Sequence, residues 1–387
     1  MRIIMDYRRQ NSMIVVKEVK TKKDLKAFVD YPNQLYKENP YFIPSTYADD
    51  LNDWNPKKNP AFDYCEAKCF LAYKDEQVVG RIGAILSHKS NRIWNTNRMR
   101  FSQVDFINDD EVVDALFAAV ENFAKEKGCD EVHGPLGFSD LDREGMLIDG
   151  FDQVSLFFTY YNHPYYQSQL ERKGYVKDVD WIEYRLFATY DQKELDMIYQ
   201  ISHRLQKMYN LHEANVKTHI GVYPYIKKVF ELINVAYAPL YSVVDLNDKQ
   251  IKHYVNKFLP MINMDYVSFV MNENNDMIGF GICAPSMNEA FKQTNGRLLP
   301  FGFLKVLKAM KVNDTLNMFL IAVHPDYQGK GINAIIIEKI LKNAIKNNIQ
   351  YAETGPMLET NEKIQSQWKR FDKVQHKRRR CFIKKII

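Results

Sequence analysis

The chain has 387 residues, 46% of them apolar and 13% aromatic, which is enough material for two ordinary cores rather than one. Its 53 basic and 48 acidic side chains leave a formal charge of +5, a balance too mild for a surface dedicated to nucleic acid or membrane. Five scattered cysteines (Cys65, Cys69, Cys129, Cys283 and Cys381) include no second pair beside Cys65 and Cys69, so no metal site is expected and the thiols read as reduced, in a cytoplasmic protein.

In chain order, the first dozen residues show no secretory signal and read as a leader or an upstream start outside the fold. Residues 14–19 read as a strand, and Thr21 is placed to cap the helix that follows. A hairpin runs from Phe70 through a polar turn to Gly80. Residues 101–106 form a strand. Residues 109–127 form an amphipathic helix with Val112, Val113, Leu116, Val120 and Phe123 on one face, ended by Gly128. Residues 130–133 are the next strand, 165–173 a helix and 180–186 an edge strand. Leu195, Ile198, Tyr199, Leu205 and Met208 predict a connecting helix, and residues 224–233 a second one. Residues 241–246 open the second half as a strand, followed by a helix over 248–261. Another hairpin carries Gly279. An insertion over residues 285–314 mixes apolar residues with lysines. It reads as a helix packed on the neighbouring domain, a lid, an acyl-chain channel or a membrane contact. No apolar run is long enough to cross a bilayer.

Three matches in the same order point to an internal duplication. The hairpin glycines Gly80 and Gly279 correspond, as do Gly134-Pro135-Leu136 with Gly355-Pro356-Met357, and Gln167-Ser168-Gln169 with Gln365-Ser366-Gln367. The organisation predicted is a domain over 1–187, a helical connector over 188–240 and a second domain over 241–387.

The stretch from Met318 to Ile345 says most about function. An apolar strand over 319–323 leads through Val323-His324-Pro325-Asp326-Tyr327 into Gln328-Gly329-Lys330-Gly331, then into a helix with Ile335, Ile336, Ile340, Leu341 and Ile345 at helical spacing. A glycine turn feeding a helix start offers unpaired N–H groups and positive potential to a phosphate. The P-loop spacing is absent, and so is the three-glycine dinucleotide fingerprint.

This strand–turn–helix resembles the central motif of the GCN5-related acetyltransferase (GNAT) superfamily, with Asn333 where the family carries Gly or Ala. The resemblance implies an α/β fold with a mixed sheet, built as two tandem acyl-CoA N-acyltransferase-like domains. The N-terminal one is degenerate, because Asp109, Asp110 and Glu111 crowd its equivalent helix start and would repel a pyrophosphate. It further implies that acetyl-CoA or another acyl-CoA lies between splayed strands 319–323 and 351–354. The backbone of Ala322 and Val323 would then pair with pantetheine, and Gln328, Gly329, Lys330, Gly331, Ile332 and Asn333 would surround the phosphates. Asn361 matches a family Asn that faces the pantetheine arm, or else caps the next helix. Glu353 is the candidate catalytic base, or else an ordinary strand carboxylate. The Tyr that many members use as the acid for the leaving thiolate falls at Lys369 here.

The activity implied is transfer of an acetyl or longer acyl group to an amine-bearing acceptor. Kindred readings are a Fem-type aminoacyl transferase or an N-myristoyltransferase-like enzyme; a third is a non-catalytic acyl-CoA sensor or interaction protein. The basic tail over residues 369–387 reads as a closing strand with a solvated face, and no aromatic-interleaved RNA signature accompanies it. Neither the acceptor nor the oligomeric state is encoded in any motif.

Overall fold

The computed structural model describes residues 13–188 and 191–386. The expected leader therefore lies outside the described residues. The strands of the first half are β1 (Val15–Glu18), β2 (Cys65–Lys74), β3 (Gln77–Ser87), β4 (Arg98–Phe106), β5 (Glu131–Gly134), β6 (Met146–Asp149) and β7 (Val176–Phe187). Those of the second are β8 (His212–Glu213), β9 (Val267–Met271), β10 (Met277–Pro285), β11 (Thr315–Val323), β12 (Tyr351–Thr354), β13 (Met357–Leu358) and β14 (Lys373–Lys385).

All of them join one mixed sheet. Its main path runs β1-β2-β3-β4-β5-β14-β7-β12-β11-β10-β9-β8, with β6 added beside β14 and β13 beside β7. Two neighbouring pairs are parallel, β4 with β5 and β11 with β12. They occupy matching places in the two halves, as a duplication requires. The repeat also shows in how each half packs its main helix. At Gly80 a Cβ would lie 2.7 Å from Leu116 Cδ1 of the helix Asp110–Glu126. At Gly281 it would lie 2.4 Å from Ile336 Cγ2 of the helix Asn333–Lys346. In both halves the absence of a side chain lets helix and sheet approach.

The halves exchange their last strands. β14, the C-terminal strand, pairs with β5 of the first half. β7, which ends the first half, pairs with β12 of the second. β7 and β14 pair with each other from Lys373–Leu186 to Ile383–Val176. The expectation of an edge strand over 180–186 is thus overturned, and β7 lies at the centre of the sheet. The tail does run as a strand with one partly exposed face, including Arg378 and Arg380, but its other face is buried. Lys377, Arg379, Cys381 and Phe382 are each at most 1% exposed. Charged side chains are tolerated there because they are paired: Glu183 accepts from Arg379 at 2.5 Å and lies 3.5 Å from Lys377.

Residues 241–246 form no strand. Their backbone is held instead by side chains of the first half. Arg100 donates to the Ser242 carbonyl at 3.4 Å as well as to its hydroxyl, and the Trp94 indole donates to the Val243 carbonyl at 2.8 Å. These partners satisfy backbone groups that a ladder would otherwise need to fill.

In the second half, Ile335, Ile336 and Ile340 of the helix Asn333–Lys346 pack with Val270, Ile278 and Leu316. Val229, Phe230 and Ile233 of the connector helix His219–Ala236 pack with Phe269, Phe280 and Ala322. Because strand side chains alternate, the two helices cover opposite faces of the sheet.

Candidate active site

β11 and β12 run side by side from Thr315–Tyr351 to Met318–Thr354 and then part. The Gly355 N–H reaches the Met318 carbonyl at 3.2 Å, and beyond it β11 continues on β10 alone. At the parting β11 bulges. Leu320 faces Ile282 and Met318 faces Cys283, so Phe319 is the extra residue. Ala322 stands opposite Phe280, and the His324 N–H bonds the Ile278 carbonyl. Even-numbered positions therefore face β10, and Ile321 and Val323 face the gap. There the Ile321 carbonyl accepts from the Tyr237 hydroxyl at 2.9 Å, and the Val323 carbonyl accepts from Gln328 Nε2 at 3.1 Å.

The turn after β11 has the shape of an anion cradle. Gly329 and Gly331 adopt φ of +76° and +81°, values that a side chain would strain. No heavy atom lies within 4 Å of a Cβ built at Gly329. Ile332 is buried and no side chain caps the helix start behind it, although the Ala334 and Ile335 N–H groups already bond the Gly331 and Ile332 carbonyls at 2.9 and 3.0 Å. Asn333 is the first helical residue, and the unusual backbone angles fall on the two glycines instead. The Lys330 ammonium sits over the rings of Tyr327 and Tyr209, 5.0 and 5.5 Å from their centroids. In the first half the matching helix start is closed by its own residue. Asp109 accepts from the Glu111 and Val112 N–H groups and pairs with Lys74 at 2.7 Å. The turn of the second half thus fits a phosphorylated group, whereas the Ala322 backbone, paired with β10, is not free to meet pantetheine as expected.

The remaining sequence candidates are also located. Asn361 caps its helix by accepting from the Ile364 N–H at 3.2 Å, and it lines the cavity described next. Glu353 is buried and accepts from Arg185 Nη2 at 2.7 Å, with Lys377 at 3.8 Å. It lies opposite Asn317 in the ladder, while its neighbours Ala352 and Thr354 line the cavity. Two cations hold its carboxylate on the far side of the strand. His324 Nδ1 accepts from the Asp326 N–H at 3.3 Å, a local turn bond. Lys369 is exposed.

A cavity of about 390 Å³ opens where the strands part. Ile337 and Leu341 line it from one face of the sheet. Ile226, Phe230 and Phe258 line it from the other. It thus passes through the gap between β11 and β12, and its walls are mostly aliphatic and aromatic. One end is different. Asp140, Asp142 and Glu144, from the loop after β5, reach it together with Tyr254 and Tyr241.

These carboxylates are not equivalent. Asp142 accepts from the Phe138 and Ser139 N–H groups at 2.9 and 3.1 Å and from the Tyr254 hydroxyl at 3.2 Å, which makes it the structural member. Asp140 has one carboxylate oxygen, Oδ1, buried without a hydrogen-bond partner. Burial pushes its pKa up to about 6. Burial also pushes Glu144 well above the usual carboxylate range, and the neighbouring Asp140 adds to the rise. Raised pKa values bring proton exchange by these two carboxylates closer to neutral pH than for free ones, at the polar end of an apolar cavity.

Sequence reasoning did not single these residues out. The available signal was the run Ser139-Asp140-Leu141-Asp142-Arg143-Glu144, which is densely charged and bounded by Gly137 and Gly145. A charge run reads as a solvated loop unless something folds over it. Here Tyr254, from the second half, donates to Asp142.

Residues 227–365 match the acetyltransferase (GNAT) family. Protein YghO of Escherichia coli (strain K12) is 26% identical over 378 residues, covering 96% of this chain and 95% of that protein. The bacterial ceramide synthase of Caulobacter vibrioides is 26% identical over 313 residues, covering 80% and 79%. Among solved structures, a tandem GNAT protein from the clavulanic acid biosynthesis pathway aligns over 97% of this chain and 99% of its own, with a TM-score of 0.56 at 11% identity. A GCN5-related N-acetyltransferase from Sphaerobacter thermophilus aligns over 96% of both chains, with a TM-score of 0.50 at 7% identity. Residues 227–365 thus carry the sequence pattern of the acetyltransferase (GNAT) family, and the chain as a whole has the fold of tandem GNAT proteins.

Proposed function

We propose that the protein is an N-acyltransferase that moves a long-chain acyl group from acyl-CoA to the amine of an amphiphilic acceptor. The observation that carries this reading is the apolar cavity running through the β11–β12 gap to Asp140 and Glu144. Its volume falls in the range of small-molecule sites, and its walls suit hydrocarbon far better than an acetyl group alone needs. The similarity to a protein named bacterial ceramide synthase supports the same chemistry, since a ceramide is the N-acyl product of a long-chain amino alcohol. The five cysteines, all buried and free, fit a reducing, cytoplasmic setting.

When bound, acyl-CoA supplies a thioester carbonyl activated toward amines. The chain's residues would do the rest. The Gly329–Gly331 turn holds the phosphates, β11 orients the pantetheine arm, and the apolar walls exclude water from the reacting carbon. Glu144 or Asp140, as carboxylate, accepts the proton that the attacking ammonium must lose. Glu353 is tied to Arg185 and Lys377 and serves to position β12 against β7.

The test measures thiol release by the purified protein with palmitoyl-CoA or acetyl-CoA, in the presence of a long-chain amino alcohol or a short amine. The expected result is turnover only with the long-chain pair. Equal rates with acetyl-CoA and a short amine would overturn the chain-length claim. Donor binding without turnover of any amine would favour an acyl-CoA sensor. Gly331→Ala should raise KM for the donor with little change in kcat, because φ of +81° strains a side chain where the phosphates would sit.

A further inference from the structure

The insertion between β10 and β11 carries surface that a water-facing segment does not need. Its helix, Gly302–Ala309, anchors inward through Val306, which packs with Phe157, Phe291 and Met287. Its outward side is also apolar. Leu299 is 81% exposed, Phe301 73% and Val312 75%, with Phe303, Leu304 and Leu307 between 42% and 53%. Six large apolar side chains standing in solvent within a short segment form a contiguous apolar patch of the kind that marks an interaction site.

Charge says what covers it. Residues 290–313 contain Lys292, Arg297, Lys305, Lys308 and Lys311 and no Asp or Glu. Among the described residues no carboxylate pairs with Lys305, Lys308 or Lys311, and all three are exposed. Apolar side chains flanked by long, unpaired lysines match a bilayer surface, where hydrocarbon enters the acyl layer and ammonium groups meet anionic headgroups. A protein partner or a second copy would need carboxylates opposite these lysines. The patch also joins the cavity wall. Phe158 and Phe319, which line the cavity, pack in the same cluster as Val306 and Met310. No helix among the described residues is long and apolar enough to cross a membrane, so the contact would be peripheral. The mild net charge of the whole chain hides this local field, and the exclusion drawn from it does not extend to the segment.

We infer that the Leu299–Val312 surface docks the protein on an anionic lipid bilayer. The experiment is flotation of the full-length protein with phosphatidylcholine vesicles and with phosphatidylcholine vesicles containing phosphatidylglycerol, at low and high salt. It is read without acyl transfer, so its failure would leave the proposed reaction standing. Binding is expected to the anionic vesicles only, and to weaken in high salt. Each lysine should contribute about fivefold, so K305Q/K308Q/K311Q should lower binding by roughly a hundredfold. F301S/L304S should release the protein while circular dichroism and donor binding stay unchanged. No binding to anionic vesicles, or binding that neither variant reduces, would overturn the inference. Self-association abolished by F301S/L304S, with no vesicle binding, would assign the patch to a second copy instead.

Discussion

At the scale of residues, the proposed reaction depends on two half-buried carboxylates at the cavity's polar end. Glu144→Gln should lower kcat by about 10²–10⁴, the usual range for removing a general base. Because the carboxylate form accepts the proton, kcat/KM should fall as pH drops through the raised pKa, near 6 for Asp140. Initial rates from pH 5 to 8 check this, and Asp140→Asn should move the acid limb. The same shift makes a folding prediction. With its pKa raised from 3.8 to about 6, Asp140 holds more proton in the folded state than in the unfolded one across that window. Stability therefore falls as pH rises through it, and Asp140→Asn should flatten that slope in urea titrations at pH 4, 5 and 6.

At the scale of elements, two contacts set the chemistry's walls. The helix Asn333–Lys346 lies against Gly281, so Gly281→Ala must move Ile336 or the strand. It should cost about 1–3 kcal/mol of stability and displace the glycine turn that the helix carries. Denaturant midpoint and donor affinity measure the two effects separately. The connector helix His219–Ala236 supplies Ile226 to the cavity. Ile226→Trp should raise KM for palmitoyl-CoA while leaving binding of acetyl-CoA unchanged, since the added ring fills space that only the long chain uses. Equal loss for both donors would place Ile226 on the common part of the path. At the junction of the halves, the Tyr241 hydroxyl lies 2.9 Å from His133 Nδ1 and donates to Asp178 at 2.5 Å, linking β5, β7 and the connector. The His133 pKa is lowered to about 4 by burial, which keeps the ring neutral there.

At the scale of the molecule, the exchange of β7 and β14 makes the two halves one folding unit. A chain ending before Lys373 would leave β5 and β7 each without a central partner. Such a truncation should destroy both halves, and residues 1–187 alone should not fold. Variants retaining only Trp54 or only Trp368, one in each half, report this. Their unfolding curves should coincide in the intact chain, as one cooperative transition demands. Separate transitions would show that the exchanged strands do not couple the halves.

The sequence by itself determined the duplication, the α/β class and the glycine turn. These rest on local chemistry: apolar periodicity, glycine where φ is positive or a helix presses close, and acids at a helix start. The hairpin of β9 and β10, the helix Asn333–Lys346 and the closure of the first half's helix by Asp109 all belong to that category. Tertiary structure alone decided that β7 is central, that residues 241–246 are irregular, and that Arg379 and Lys377 are buried. It alone gathered Asp140 and Glu144 at the end of the cavity. Each of these depends on a partner from the other half of the chain. A strand's own residues do not record which strand lies beside it. A carboxylate's pKa depends on how much water surrounding elements remove, and that is set by groups more than a hundred residues away in sequence, as Tyr254 is from Asp142.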